Sequence, residues 1–294
     1  MNKGYIKVIL ALLSVTGYMQ NIVFASEHDP SANSSNETST QLLSANPEEA
    51  KQAEAIMANV LNIAKKHAKH TKDYTVYSEV DEEAILHLKY VNNTEVGKLE
   101  FTIHDPNIYD NIVNLIWDPN GATYFDETFI EGSTPQVYNE NLVIIQQRYQ
   151  SAIGSWQRYY HALAGKFELS SNETAILMAS SDMNDHDGYC TKQYVNPIVD
   201  SINSFHPDIN SQEDIRNGKL SKMFVNLMVF FIKKEADSIK ITHISSVDAN
   251  APWFVPGVMV RKAKVTKIKL ILVMLVYIYV TVKILIVSFM SAKY

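Results

Sequence analysis

Apolar residues at Ala53, Ile56, Met57, Val60, Ile63 and Ala64 fall on one stripe at helical period. Asn46-Pro47-Glu48-Glu49 precedes them, a capping side chain, a proline at the first helical position and two acids facing the positive end of the dipole. The pattern predicts an amphipathic helix from 47 to about 70. Alternation takes over next, in "YTVYSEV" and "AILHLKYV", then through the turn residues "NNTEVG" into "KLEFTIH", as an antiparallel meander would read. "DPNIYDNIVNLIWDPNG" starts at Asp105-Pro106, repeats Ile108, Ile112, Leu115 and Ile116, and stops at Pro119 and Gly121, which predicts a short helix. β-rich runs follow: "YFDETFIEG", "NLVIIQQRYQ", "QRYYHALAGKFELS", "TAILMASSDM", "LSKMFVNLMVFFIKK" and "SIKITHISSV". Residues 183–218 are polar without a period and read as a long connection or insertion. The order predicts an α+β fold with helices segregated from a mostly antiparallel sheet.

The two ends depart from this pattern. Lys3 and Lys7 lead into an apolar run that ends near Val23 and Ala25, the arrangement of a secretory signal cleaved after Ala25. Ser14, Thr16, Gln20 and Asn21 leave that run too polar for an uncleaved anchor. Residues 26–46, rich in Ser, Asn and Thr, are expected to form a mobile linker, and Asn33, Asn36, Asn92 and Asn172 lie in glycosylation sequons. A globular domain is assigned to 47–269 and an apolar segment to 270–294. From Leu270 to Met290 only Lys283 is charged, so that segment reads either as a lid helix or as a membrane span.

Composition narrows the classes. The chain has 294 residues, 46% of them hydrophobic, and a net charge of −6, which suits a globular core and argues against a nucleic-acid surface. The single Cys190 cannot form an intramolecular disulfide, and no Cys/His cluster has zinc spacing. Asp185, His186 and Asp187 are the one compact set of candidate metal ligands, but consecutive loop residues converge poorly, and a solvated turn is the expected reading. No nucleophile elbow, phosphate loop or dinucleotide fingerprint is present, and Ser180-Ser181-Asp182 makes no triad by adjacency. The chain is read as a non-enzyme without metal or cofactor.

Three stretches carry a resemblance across about residues 85 to 265: "YDNIVNLIWDPNGATYFDETFIEG", "TAILMASSDM" and "ITHISSVDANAPWFVP". They resemble the steroidogenic-acute-regulatory-related lipid transfer (START) domain. What that resemblance implies is a helix-grip fold, a curved antiparallel sheet closed over an apolar tunnel by a long C-terminal helix, with Asp248 and Pro256 at the sheet-to-helix junction. Ala251-Pro252 stands where the family's turn usually has glycine, and Trp156-Gln157, with Arg158 just beyond, stands at the family's Arg-Asp-aromatic signature. A narrower resemblance lies in "NDHDGYC", "DIRNGKLSKMFVNL" and "SWQRYYHALAGKF", which look like the fam-a multigene family of malaria parasites. For such a member the implied destination is the parasitophorous vacuole or the host cell.

The function implied is a secreted carrier of one lipid, a phosphatidylcholine-like phospholipid or a sterol-like lipid, acting at a membrane surface and expected to be monomeric. Arg148 is the candidate bidentate phosphate ligand, with a surface arginine as the competing reading. Tyr149, Tyr160 and Trp117 are candidate aromatic faces for a quaternary ammonium. Tyr124, Phe129, Met228, Phe230 and Met259 are candidates for the tunnel wall, Arg158 and Asp182 for its polar groups. Trp253 and Phe254 either pack under the start of the lid or sit at the mouth, where they would meet a membrane. The rival readings are a display antigen with a filled interior and a membrane-tethered lipid sensor.

Overall fold

The computed structural model describes residues 46–69, 73–81, 84–151 and 156–271. The expected signal sequence, nearly all of the linker and the segment beyond 271 lie outside the described residues. Helix α1, Pro47–Lys69, begins as its sequence predicts: Asn46 Oδ1 accepts from the Glu48 amide at 3.1 Å, and the Asn46 carbonyl accepts from Ala50. Three strands follow, β1 (Thr75–Asp81), β2 (Ala84–Val91) and β3 (Thr94–Ile103). Asn92 and Asn93, both at positive φ, make the tight turn between the last two. Helix α2 covers Tyr109–Trp117, shorter than the apolar repeat, because Asp105 caps a separate 3-10 turn over Pro106–Ile108.

The remaining strands are β4 (Phe129–Asn139), β5 (Leu142–Gln150), β6 (Gln157–Ser170), β7 (Glu173–Ala179), β8 (Leu220–Lys222), β9 (Phe224–Lys234) and β10 (Ile239–Asp248). They form one sheet ordered β1-β2-β3-β10-β9-β7-β6-β5-β4, with short β8 pairing parallel to β6. Two expected strands differ. "YFDETFIEG" is not extended until Phe129, since Gly121–Tyr124 forms a 3-10 turn and Asp126 accepts from the amide and hydroxyl of Thr128. "LSKMFVNLMVFFIKK" splits at Met223, whose amide turns aside to the Tyr159 carbonyl. The 183–218 connection carries a 3-10 turn over Asp200–Ser204, the single-turn helix α3, Glu213–Arg216, and an isolated parallel bridge between Asn184 and Asp208.

The period-2 side-chain pattern sends each strand's residues to two separate cores. One face packs on α1 and on the long connection: Ala53, Ile56, Met57, Val60 and Ala64 meet Leu163, Leu177, Val229 and Ile244, beside Val199, Ile202 and Phe205. Glu49 fastens α1 to β4 by accepting from Gln136 Nε2 (2.7 Å) and the Tyr138 hydroxyl (2.6 Å). The opposite face packs on the 3-10 turn and α2 through Ile108, Ile112 and Ile116, and on helix α4, described over 257–271, through Val265, Ile268 and Ile271. Gly97 lets that helix approach: a Cβ there would lie 2.5 Å from Ile268 Cδ1.

Candidate lipid cavity

Between α4 and the sheet the packing opens into a hollow of about 290 Å³. Its floor is made by inward residues of the central strands, Met228 and Phe230 on β9, His243 and Ser245 on β10, Tyr160 on β6 and Met178 on β7. Leu115, Ile116 and Phe125 close one side, and Val255, Met259, Val260, Val265, Ile268 and Ile271 make the roof. At about 1.5 Å per residue the helical turns over 257–271 cover about 21 Å. That matches the extended chain from His243 on β10 to Ala249 just past its end, about 20 Å at about 3.3 Å per residue.

The lid is fixed along both margins. Arg261 pairs with Glu95 on β3 (2.7 Å), Lys269 donates to Ser78 on β1 (3.0 Å), and Lys267 reaches Asp126 and Thr128 on the opposite side. Lys267 Nζ also lies 4.7 Å from the Tyr149 ring centroid. Such partly exposed ion pairs contribute little each, so the apolar row Val265, Ile268 and Ile271 supplies most of the closure.

The junction "VDANAPWFVP" lines one end of the hollow through Val247, Ala249, Ala251 and Val255. Asp248 accepts from the Asn250 amide and pairs with Lys192 at 2.6 Å, and the Val255 amide closes a turn on the Pro252 carbonyl. The Pro256 carbonyl then accepts from Val260, so this proline stands at the helix start where no N–H is required. Trp253 is 96% exposed and Phe254 60%, edge to face at 6.1 Å. Neither packs under the lid. With Val258 (80%) and Met259 (49%) they form an exposed apolar tip at the start of α4.

Two cations line the same end. Arg158 donates from Nε to Ser151 Oγ at 3.3 Å and from Nη1 to the Ala249 carbonyl, both neutral groups. Among the described residues it has no carboxylate partner, and burial lowers its pKa. Burial likewise lowers the pKa of Lys264, against the opposing pull of Asp248 and Glu95. The two cations are thus available to an anionic group entering the cavity.

Of the residues singled out from sequence, Tyr149, Arg158, Tyr160, Met228, Phe230 and Met259 come together around the hollow. Arg148 does not. Its guanidinium holds Asp214 bidentately at 2.6 and 2.8 Å, with Nε 3.1 Å from Glu131, so it is already neutralised on α3. Tyr149 and Tyr160 both donate to Gln147 Oε1, and Lys267 already sits over the first ring. Trp117 lines a neighbouring hollow of about 240 Å³ with Val143, Ile145, Ala164 and Met178, and Lys166 lies 5.5 Å from its ring centroid. Phe129 packs edge to face on Tyr149, and Tyr124 is 54% exposed. Asp182 offers its carbonyl to His206 and does not line the hollow.

The Asp185-His186-Asp187 group is not the simple solvated turn that its sequence suggested. Asp185 is buried against Lys222 (2.7 Å), His161 (3.1 Å) and the Tyr159 hydroxyl (3.0 Å). His186 turns outward at φ 55° to Asp208, and Asp187 accepts from the Tyr189 and Cys190 amides. Among the described residues no group of His, Cys, Asp and Glu is placed to hold a metal.

His243, Lys264 and Lys267 were not anticipated as site residues. A signal existed for the first: in "IKITHISSV" strict alternation puts His243 on the same face as Ile241 and Ser245. No such rule places the lysines, because the turn of α4 that they share depends on where the helix starts.

No protein-family model matches the chain, and no curated protein matches it in sequence. Solved structures do match. Human STARD10 superposes with a TM-score of 0.55 at 12% identity, covering 74% of this chain and 78% of its own. The human StAR-related lipid transfer protein 5 superposes with a TM-score of 0.51 at 12% identity, covering 74% and 88%. At such identity the likeness speaks for architecture: the chain has the START helix-grip fold, a curved antiparallel sheet gripped by its C-terminal helix and not closed into a barrel.

Proposed function

We propose that this chain is a secreted, non-catalytic lipid carrier that holds one amphiphile between the sheet and α4 and moves it between membranes. The observation that supports this reading is the hollow itself, whose wall is mostly apolar surface with a few polar groups, Arg158 and Lys264 among them. By a measure on which one water needs about 10–15 Å³, it has room for roughly 20 waters. A methylene is of similar size and gains ~0.8 kcal/mol on leaving water, so a chain filling this space is held by on the order of 10 kcal/mol. A display scaffold has no need of such a void, since empty space forfeits packing contacts.

In this reading the lipid's tail lies inward and its head at Arg158 and Lys264. The phosphate of a phosphatidylcholine-like ligand would fall to Arg158, because Arg148 is committed to Asp214. A sterol-like lipid is the other ligand the cavity suits. The narrower resemblance to the fam-a proteins adds an expected route through the secretory pathway, and a single chain suffices for the cavity.

Lipid extracted from the purified chain and identified by mass spectrometry tests the proposal, together with transfer between donor and acceptor vesicles. One lipid per chain and protein-dependent transfer are expected. A chain purified lipid-free that moves neither phosphatidylcholine nor sterol would refute it. The exposed tip gives a second prediction. Trp253→Ala and Phe254→Ala remove side chains with little packing to lose, so the melting temperature should hold while lipid pickup from vesicles slows several-fold. Unchanged pickup by the double variant would remove the tip from the membrane step.

A further inference from the structure

We propose that the polar end of the hollow selects a phospholipid with a net negative head over a choline phospholipid. Lysines of the chain itself already occupy aromatic faces that a quaternary ammonium would need. The proposal rests on the carrier reading and narrows its ligand.

A quaternary ammonium donates no hydrogen bond, so inside a protein it depends on aromatic faces or on a free carboxylate. Both are largely taken. Lys267 Nζ lies 4.7 Å from the centroid of the Tyr149 ring, and Tyr160 stacks with the same ring at 6.4 Å. Lys166 Nζ lies 5.5 Å from the centroid of Trp117, and Phe230 is stacked on His243 at 4.2 Å. Trp156 and Phe125 remain on the wall as single rings. The acids around the hollow are engaged as well: Glu95 with Arg261 (2.7 Å), Asp248 with Lys192 (2.6 Å) and Asp126 with Lys267. Asp118, also on the wall, is exposed and accepts from the Asn120 amide.

For an anion the balance is reversed. Once those pairs are made, two cations on the wall are left over, Arg158 and Lys264. They belong to one region: Arg158 Nη1 donates to the Ala249 carbonyl, and Lys264 feels the charge of the preceding residue, Asp248. Arg158 has only neutral acceptors, Ser151 Oγ and that carbonyl, and among the described residues Lys264 makes no hydrogen bond. Burial lowers the pKa of both, as it does for a cation desolvated without full compensation. A phosphate supplies the missing counter-charge, and a guanidinium can hold it bidentately. Choline phosphate brings its own cation, which opposes that gain beside Arg158 and Lys264. A glycerol or hydroxyl head brings none.

The test uses three lipids with the same two oleoyl chains, phosphatidate, phosphatidylglycerol and phosphatidylcholine. Each is delivered from cyclodextrin to the full-length chain, and the three are competed in native mass spectrometry. Both anionic lipids are expected to bind, one per chain, at least about tenfold more tightly than the choline lipid. Arg158→Gln with Lys264→Gln should bring the three to within about threefold of one another. Lys267→Gln with Asp126→Asn removes that pair whole, so that no buried carboxylate is stranded, and frees the Tyr149 face. Affinity for phosphatidylcholine should then rise several-fold, and no rise in the folded variant overturns the role given to Lys267. Lys262→Gln, at an exposed lysine off the wall of the hollow, should leave the preference unchanged. Loss of the preference there would assign it to surface adsorption and overturn the subsite. Equal binding of all three by the wild-type chain, or a preference for phosphatidylcholine, overturns the selectivity whether or not the variants fold, and leaves the carrier reading intact. Binding of none of the three removes the carrier reading itself.

Discussion

Asp185→Asn is expected to destabilise the domain by about 3–5 kcal/mol, the usual effect of removing one partner from a buried ion pair. The residue is 2% exposed and its carboxylate accepts from three side chains on two strands: Lys222 on β8, and His161 and Tyr159 on β6. Its own backbone carbonyl accepts from Ser211, across the long connection. Without the charge, Lys222 remains buried with no anionic partner, beside the Met183 carbonyl at 3.4 Å and the Phe224 ring at 5.7 Å. Urea unfolding at neutral pH measures the loss. The double variant Asp185→Asn with Lys222→Met should recover a large part of it, because the stranded ammonium is then gone. If the double variant is as unstable as the two single losses summed, the pair is not coupled and the explanation fails.

The same residue gives the chain an acid limit. Burial pushes the Asp185 carboxyl upward, but the hydrogen bond from His161 and the charge of Lys222 outweigh it, leaving the pKa well below the ordinary carboxylate value. The folded-state pKa is thus depressed relative to about 3.9 in the unfolded chain. Its contribution is present in full above that unfolded value and is lost as pH falls toward the folded one. Wild-type stability should therefore decline below about pH 4 more steeply than that of Asp185→Asn. Parallel declines would mean that other carboxylates dominate.

That cluster also shows where sequence reading stops. Period and capping made α1 legible, since Asn46, Pro47 and the stripe from Ala53 to Ala64 are local signals for a local structure. The β6 run and the paired β9 and β10 runs were legible for the same reason, alternation between two faces. What escaped was long-range: nothing near Asp185 announces that Lys222, 37 residues on, will meet it. Arg148 misled in the same way. Its strand was read correctly, but whether an arginine on a strand faces a cavity or a carboxylate depends on where α3 brings Asp214. The cavity's walls could be anticipated from alternation and the family resemblance, whereas its polar groups depend on how α4 lies across the sheet.

Met228→Trp is expected to abolish lipid binding while leaving the fold in place. Met228 projects from β9 into the hollow opposite Ser245 and is only partly enclosed, so one side of it faces empty space. An indole there grows into the void and not into a neighbour, and the contacts it gains offset the strain of a larger side chain, leaving stability within about 1 kcal/mol of wild type. The lipid loses the middle of its path, and binding should fall by at least on the order of tenfold, since the displaced chain forfeits ~0.8 kcal/mol per methylene. Met228→Ala is the matching control, because it widens the hollow: stability should drop, as contacts with the partly buried core are lost, yet lipid should still bind. The two variants therefore separate stability from binding at a single position: one loses binding alone, the other stability alone. Native mass spectrometry for bound lipid and thermal melting for the fold read the two quantities separately. Lipid carried by the folded tryptophan variant at the wild-type level would place the ligand elsewhere, and the hollow under α4 would then be a packing defect without a cargo.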